Sequence, residues 1–464
     1  MKYFSIINPY NQKIIKKIQD FSKDEIHKRL LFLSKNKINL NKKNKITIIT
    51  KLIKHINNKK IKNSFKKLIT DEVGVSYNDA DFEFERFKNS SEITLKILRN
   101  ENKNLTNKFK KFEISNLNYK VLRKPLKMGF AITPFNLPLI LSAHKIFPAI
   151  ISGTPLILKP SELTPLSSIK LVNLLIKCGL DKNFITIITT SKPKKIFNQI
   201  IKFSHLEFLS FTGSLKVGIE IKKNLPNKKF LKSIFELGGI SPMIITSEFN
   251  LDRAVKFVIE GCFKYTGQRC TTARKIIIEK KIYNKFIPKL IKAVKNLTYG
   301  INKEDSYMGV MVHHKFVNDL KKRVNSAIND GAKLIYGKFS TKKNTNIISP
   351  IILTKVKKNM NLISEEILGP ICPILIVRNF NEALKIANHG DYNIAGSILS
   401  QNMNKIKKAT KFLNVNQLNI NNVPGFRSEV TPFGGSNKSG NFYKEGLICA
   451  SEEMSNTQII YKHI

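Results

Sequence analysis

Hydrophobic and polar positions along the chain follow two regimes. Over roughly the first 110 residues, apolar side chains recur at helical intervals in a Lys-rich background, most clearly at 46–56. A local acidic stretch at 71–86 interrupts that background. From Met128 the texture changes to short β-type runs alternating with amphipathic helices. Residues 129–133, 156–158, 184–189 and 208–211 read as strands. Residues 139–151 and 165–176 read as helices, and Gly213-Ser214 opens another. A second α/β series begins near Gly239 and runs to about Gly435, where a Gly-rich turn leads into the remaining segment. The alternation predicts an α/β fold with a doubly wound parallel sheet. With no internal repeat and no Pro- or Ser-rich linker, the domains are expected to be interleaved.

Composition adds limits. A chain of 464 residues has room for two or three domains with their own cores. Its 42% apolar and 24% charged residues are ordinary globular values. No run approaches the roughly 20 uninterrupted apolar residues of a membrane helix. The most apolar region, 129–158, is broken by Asn136, His144, Lys145 and four prolines. The N-terminus reaches Asn8-Pro9 without a basic start and a long apolar run, so no secretory signal is expected. The five cysteines, at 178, 262, 270, 372 and 449, form no CxxC pair, which argues against a disulfide framework or a metal cluster. A cytoplasmic protein with no metal and no membrane partner is expected.

The formal charge of +47 raises nucleic-acid binding as an alternative. Of the 80 basic residues, however, 70 are Lys, and they arrive with Asn and Ile, residues that share A/T-rich codons. They are spread over the whole chain, with no Cys2His2 pattern, ribonucleoprotein signature or basic zipper. A solvated surface with compositional bias is the simpler reading, and no specific nucleic acid is expected.

Four short segments can carry chemistry. Gly267-Gln268-Arg269-Cys270-Thr271 places a thiol in a loop after a helix at 251–265 and before a strand at 275–279. Nearby positive charge would favour its thiolate, although a lone Cys is also commonly a small buried hydrophobe. Phe235-Glu236-Leu237-Gly238-Gly239 ends a strand with a carboxylate that can act as a general base, its glycines allowing another chain to approach. Thr133-Pro134-Phe135-Asn136-Leu137-Pro138 holds an amide between two prolines, which suits a preorganised oxyanion donor. Leu158-Lys159-Pro160-Ser161-Glu162 ends a strand with a cation and a carboxylate able to bind the hydroxyls of an adenosine ribose, or to form an exposed turn.

Taken together and in this order, the segments resemble the NAD(P)-dependent aldehyde dehydrogenases. Phe-Thr-Gly-Ser-x3-Gly (211–218), Glu365-Glu366-Ile367-Leu368-Gly369-Pro370 and Pro432-Phe433-Gly434-Gly435 extend the likeness, as does the 34-residue gap from Glu236 to Cys270. The likeness runs from about Ile7 to the C-terminus. It implies a Rossmann-like cofactor domain (1–107 and 125–238), an α/β catalytic domain (239–435) and a small β oligomerisation extension (108–124 and 436–464). It also implies that Cys270 attacks the aldehyde and that Asn136 holds the oxyanion. Hydride then passes to the nicotinamide, and Glu236 activates water to hydrolyse the thioester. The cofactor positions carried over are Thr133, Pro134, Phe135, Lys159, Ser161, Glu162, Gly213, Ser214, Gly218, Leu237, Gly238, Glu366 and Leu368. A carboxylate at Glu162 repels a 2′-phosphate, so NAD is expected over NADP. A homodimer or homotetramer is implied, using a hairpin near 109–123 and the C-terminal strand.

The chain departs from the family in places. Leu368 replaces a Phe, and Ser439-Gly440-Asn441-Phe442 lacks the second glycine of Ser-Gly-x-Gly. Met308-Gly309-Val310 stands for Met-Gly-Pro, and most of the usual first β hairpin is expected to be missing. For the substrate, Arg269 precedes the nucleophile and Arg427 sits before the turn that contributes to the tunnel in relatives; with Thr271 they form the substrate-side set. Arg forks suit phosphate, phosphonate or carboxylate. The combination looks most like phosphonoacetaldehyde dehydrogenases, which make phosphonoacetate. Non-phosphorylating glyceraldehyde-3-phosphate, lactaldehyde and succinate-semialdehyde dehydrogenases are the alternatives within the family. A nucleic-acid-binding protein on a degenerate enzyme fold is the alternative outside it.

Overall fold

The computed structural model describes residues 2–35, 38–104, 110–112, 115–225, 230–300, 306–339 and 345–462. The segments Gly129–Ile132 and Leu156–Lys159 are covered on both faces, which is why they read as unbroken apolar runs and do not alternate. With Ile185–Ile187, Phe208–Thr212 and Lys232–Glu236 they form a five-stranded, all-parallel sheet. In chain order its strands run 3-2-1-4-5 across the sheet. The order reverses between Gly129–Ile132 and Phe208–Thr212, and the crevice at such a switch point is where open α/β sheets bind ligands. The expected third strand, 184–189, shrinks to Ile185–Ile187.

A second sheet of seven strands runs Lys333–Tyr336, Ile351–Thr354, Ile371–Val377, Ala273–Glu279, Ser241–Ile245, Ala395–Leu399 and Gln417–Ile420 from edge to edge. Only the pair at the first edge is antiparallel. A three-stranded antiparallel sheet joins Lys110–Phe112, Ser115–Pro125 and Ser455–Lys462, so the last strand returns to the middle of the chain. Residues 109, 113 and 114 of the expected hairpin lie outside the described residues.

One expectation for the N-terminal third is corrected. The chain does open with an antiparallel hairpin, Lys2–Ile7 against Ile14–Asp20. In Ile14–Asp20 the Ile and Lys residues come in pairs and only Ile18 is buried, so the strand carries no two-residue period that the sequence could show. In the acidic stretch at 71–86, Glu72, Asp79 and Glu83 are all buried. The remainder is helical as expected, with Lys42–Ile56, Lys59–Val73 and Tyr77–Asn104 packing beside the five-stranded sheet's helices.

Two family departures have local explanations. Val310 donates its N–H to the Gly74 carbonyl at 2.7 Å, a bond that Pro has no hydrogen to make. Phe442, in place of glycine, adopts φ +73° and carries left-handed strain that glycine would avoid. No helix among the described residues is long and apolar enough to cross a membrane.

Candidate active site

A cavity of about 780 Å³ opens between the five- and seven-stranded sheets, and every candidate residue except Gly218 and Gly238 lines it. Those two glycines shape the wall from behind. A Cβ on Gly218 would meet Leu237 at 2.6 Å, and one on Gly238 would fall 1.9 Å from the Glu366 carboxylate. At Gly239 a Cβ would lie 2.5 Å from the Cys270 carbonyl. The glycine pair is therefore what allows Glu366 and the cysteine loop to approach the end of the Glu236 strand.

The first and last strands of the five-stranded sheet, in chain order, deliver Asn136 and Glu236. Asn136 follows Gly129–Ile132 and precedes the helix Pro138–Ser152. Its Nδ2 donates to the Gln268 carbonyl at 2.7 Å, leaving a second amide hydrogen. Glu236 terminates Lys232–Glu236 and is buried, and neither of its oxygens has a hydrogen-bond partner among the described residues. Burial pushes its carboxyl up to about 8, against the pull of Lys145, Lys444 and Arg427.

Cys270 comes from the other sheet. The expected helix at 251–265 ends at Phe263, and Tyr265, Thr266 and Gly267 then turn through φ of 57°, 53° and 65°. This left-handed turn reverses the chain before the strand Ala273–Glu279. Gly267 has no alternative here, because a Cβ would sit 2.0 Å from the Gly369 carbonyl. Arg274, fully buried, ties the turn down by donating to the carbonyls of Gly267 and Gly369. Burial, reinforced by the Glu366 and Glu236 carboxylates, pushes the Cys270 thiol up to about 12, so the thiolate is scarce in this arrangement.

At the far end of the cavity, Lys159 and Glu162 stand together at the C-terminal end of Leu156–Lys159, 3.0 Å apart. Ser161 and Ser214 line the same end, Ser214 capping the helix Leu215–Lys223 by accepting from Val217 N–H. Thr133, Pro134, Phe135, Gly213, Leu237 and Leu368 complete the wall between that end and Cys270. The crevice thus carries a hydroxyl-binding charge pair and a helix N-terminus on its wall, with Glu366 near the thiol. These features fit an extended dinucleotide.

The substrate side holds more charge than the sequence alone indicated. The Arg427 side chain is 8% exposed and stacks 4.2 Å over the Phe433 ring, and its Nε has no partner among the described residues. Arg269 is buried over Tyr265, with one guanidinium nitrogen reaching the Glu260 carbonyl at 3.4 Å. The third guanidinium, Arg86, comes from the helix Tyr77–Asn104 and was not singled out in the sequence, where it stood at the edge of the acidic stretch. Glu429 joins this group, accepting from Arg86 Nε at 2.7 Å and lying 2.6 Å from His144 and 3.6 Å from Arg427. Burial opposes its ionisation, but His144, Arg86 and Arg427 hold it well below the usual carboxylate range. His144 is itself driven down to about 4 by burial, so it stands neutral.

Lys145 was also missed. It is buried against Glu445, donates to Thr212 Oγ1 at 2.7 Å and faces Glu236. The signal was present: His144 and Lys145 are polar residues inside the chain's most apolar stretch, and each needed a buried partner.

The chain matches the aldehyde dehydrogenase family over residues 1–460. A lactaldehyde dehydrogenase of Methanococcus aeolicus is 32% identical over 466 residues, which span 99% of this chain and 97% of the relative. The glyceraldehyde-3-phosphate dehydrogenase GapN of Methanocaldococcus jannaschii, solved in complex with NADP, superposes with a TM-score of 0.90. It is 30% identical, over 99% of this chain and 98% of that one. A lactaldehyde dehydrogenase structure superposes with a TM-score of 0.92 at 23% identity, over 100% and 96% of the two chains, a likeness of fold. Family match, shared architecture and a thiol, carboxylate and amide converging on one dinucleotide-sized crevice agree: this chain belongs to the aldehyde dehydrogenase family and is an NAD(P)-dependent oxidoreductase acting on aldehydes.

Proposed function

We propose that the substrate is a small anionic aldehyde, oxidised to its carboxylic acid through a covalent adduct on Cys270. The observation that carries this reading is the set of three guanidiniums, Arg86, Arg269 and Arg427, on the cavity wall beyond the thiol. Glu429 offsets part of that charge, and the unpartnered Nε groups of Arg269 and Arg427 remain as donors. Phosphate and phosphonate match such forks, which keeps glyceraldehyde 3-phosphate and phosphonoacetaldehyde as the leading substrates. The relatives named above carry lactaldehyde and glyceraldehyde-3-phosphate names, and this weighs against phosphonoacetaldehyde as the first choice. Lactaldehyde is the second reading, favoured by the Glu429 contacts that neutralise part of the arginine cluster.

In the proposed chemistry, Cys270 gives up its thiol proton to solvent, and its Sγ bonds to the aldehyde carbon as the C=O π pair moves onto oxygen. The spare Asn136 hydrogen and the Cys270 backbone N–H hold the oxygen, and removing one such donor costs about 3 kcal/mol in the transition state. A bound nicotinamide supplies the hydride acceptor. Glu236 takes a proton from the water that attacks the resulting thioester, and Lys145 and Glu445 lie behind it. Lys159, Glu162, Ser161, Ser214 and Glu366 would hold the dinucleotide. Glu162 supports NAD; the NADP in the M. jannaschii enzyme supports testing both.

The domain division 1–107 with 125–238, 239–435, and 108–124 with 436–464 is proposed on similar grounds. The five-stranded sheet falls within 125–238 and the seven-stranded sheet within 239–435. A homo-oligomer is supported by the edge strand Ser455–Lys462, which leaves Ile459 51% and Tyr461 58% exposed.

The test is NADH and NADPH formation with glyceraldehyde 3-phosphate, phosphonoacetaldehyde, succinate semialdehyde and lactaldehyde, compared by kcat/KM. Preference for a phosphorylated or phosphonylated aldehyde supports the reading. A winning neutral aldehyde removes the arginine argument and leaves the family intact.

A further inference from the structure

We propose that one turn of the helix Tyr77–Asn104, carrying Asp79 and Glu83, is the positioning element that aligns the Asn136 amide with the Cys270 loop. The inference rests on the roles proposed above for those two residues. Glu83 is buried, and its Oε1 accepts the N–H groups of Leu139 at 2.8 Å and Ile140 at 3.1 Å. These belong to the first turn of Pro138–Ser152, whose preceding residue, Leu137, has no side chain to cap it. A carboxyl from a distant helix therefore does the capping. Asn136 stands two residues before that helix, so fixing its start fixes where the amide lies.

Four residues earlier on the same helix, Asp79 accepts the N–H of Tyr265 at 3.0 Å, and its carbonyl accepts the Tyr265 phenol at 2.9 Å. Tyr265 begins the left-handed turn that leads into Gln268, Arg269 and Cys270. A backbone in that region persists only where its surroundings hold it. The two anchored segments then meet directly, Asn136 Nδ2 on the Gln268 carbonyl at 2.7 Å. One rigid helical turn thus sets the separation between the oxyanion donor and the nucleophile.

These carboxyls are poorly explained as stabilisers. The second oxygen of Glu83 has no hydrogen-bond partner among the described residues, and a buried carboxyl with half its acceptors idle gains less than an apolar side chain of similar size. Burial pushes Glu83 up to about 8, so near neutral pH it is mostly the neutral acid, whose carbonyl oxygen still accepts. Gln reproduces that acceptor; Leu removes it.

The experiment compares kcat and KM for one aldehyde in the full-length wild type, Glu83→Gln, Glu83→Leu, Asn136→Ala and the Glu83→Leu/Asn136→Ala double variant. Expected is a fall in kcat of about tenfold or more for Glu83→Leu with KM within about twofold, since displacements near 1 Å cost rates of this order. Glu83→Gln should return kcat to within about twofold of wild type, and the double variant should lose little beyond Asn136→Ala alone. Unchanged kcat in Glu83→Leu, no rescue by Gln, or multiplicative losses in the double variant would each overturn the proposal. If Asn136→Ala retains full kcat, the oxyanion reading itself fails. If it is impaired while Glu83→Leu is not, only the positioning role fails. Should Glu83→Leu not fold, Asp79→Ala with its rescue by Asp79→Asn carries the same kcat-against-KM test.

Discussion

Glu236→Gln is the most informative single change, because the structure sets both its size and its pH signature. Burial holds this carboxyl at about 8, with Lys145 first among the cations opposing the shift. The ionised form is the one that accepts a proton from water. About a tenth of the enzyme carries it at pH 7 and about nine-tenths at pH 9, so hydrolysis of the thioester should rise about tenfold over that interval. Gln keeps the shape and removes the base, which lowers turnover by about 10²–10⁴. With formation of the thioester intact and its hydrolysis blocked, stopped-flow absorbance of NAD(P)H should show a rapid burst near one equivalent per active site, followed by a slow steady rate. The steady rate should also lose its pH dependence between 7 and 9. A wild-type kcat that is flat over this range, or a Gln variant that turns over without a burst, refutes the assignment of Glu236 as the deacylation base.

Arg269→Leu should lower kcat/KM for an anionic aldehyde by about 10–100-fold, the worth of one charge-assisted hydrogen bond, and change a neutral aldehyde far less; equal losses on both would remove the anion clamp. Lys145→Met leaves Glu445 buried without its partner and should cost about 3–5 kcal/mol, visible as a lowered denaturation midpoint in urea. Gly267→Ala places a methyl 2.0 Å from the Gly369 carbonyl and should abolish turnover, read as NAD(P)H formation with any aldehyde the wild type oxidises. Glu72, Asp79, Glu83, Glu236 and Glu366 are all raised by burial to values between about 6 and 8, so between pH 5 and 6 the native state holds protons that the unfolded chain has released. Stability should therefore fall as pH rises through that window, the lowered His144 and His313 and the lowered Glu248 and Glu429 opposing only in part, and Tm measured against pH tests the sign.

Much of this protein is readable without coordinates. Apolar runs covered on both faces announce a parallel sheet, because only buried strands can be apolar at successive positions. The segments bearing Cys270, Glu236, Asn136 and Lys159-Glu162 are likewise local: each is a short peptide whose glycines or prolines shape its own backbone. What the sequence could not supply is anything made by residues far apart in the chain. Arg86 reaches Glu429 across 343 positions, Lys145 reaches Glu445 across 300, and Glu83 caps a helix 56 residues away. Read locally, each is a charge in a helix, and the acidic stretch at 71–86 resembles a solvated surface. The opening hairpin was hidden for a related reason: each of its strands buries one Ile, Ile6 and Ile18, so neither shows a two-residue period. Local backbone preference and hydrophobic period are properties of neighbouring residues, so the sequence determines the elements and the order of the chemical motifs. The pairing of buried charges, and with it the acidity of Glu236 and Cys270, depends on what excludes water around them, and only the packed tertiary structure decides that.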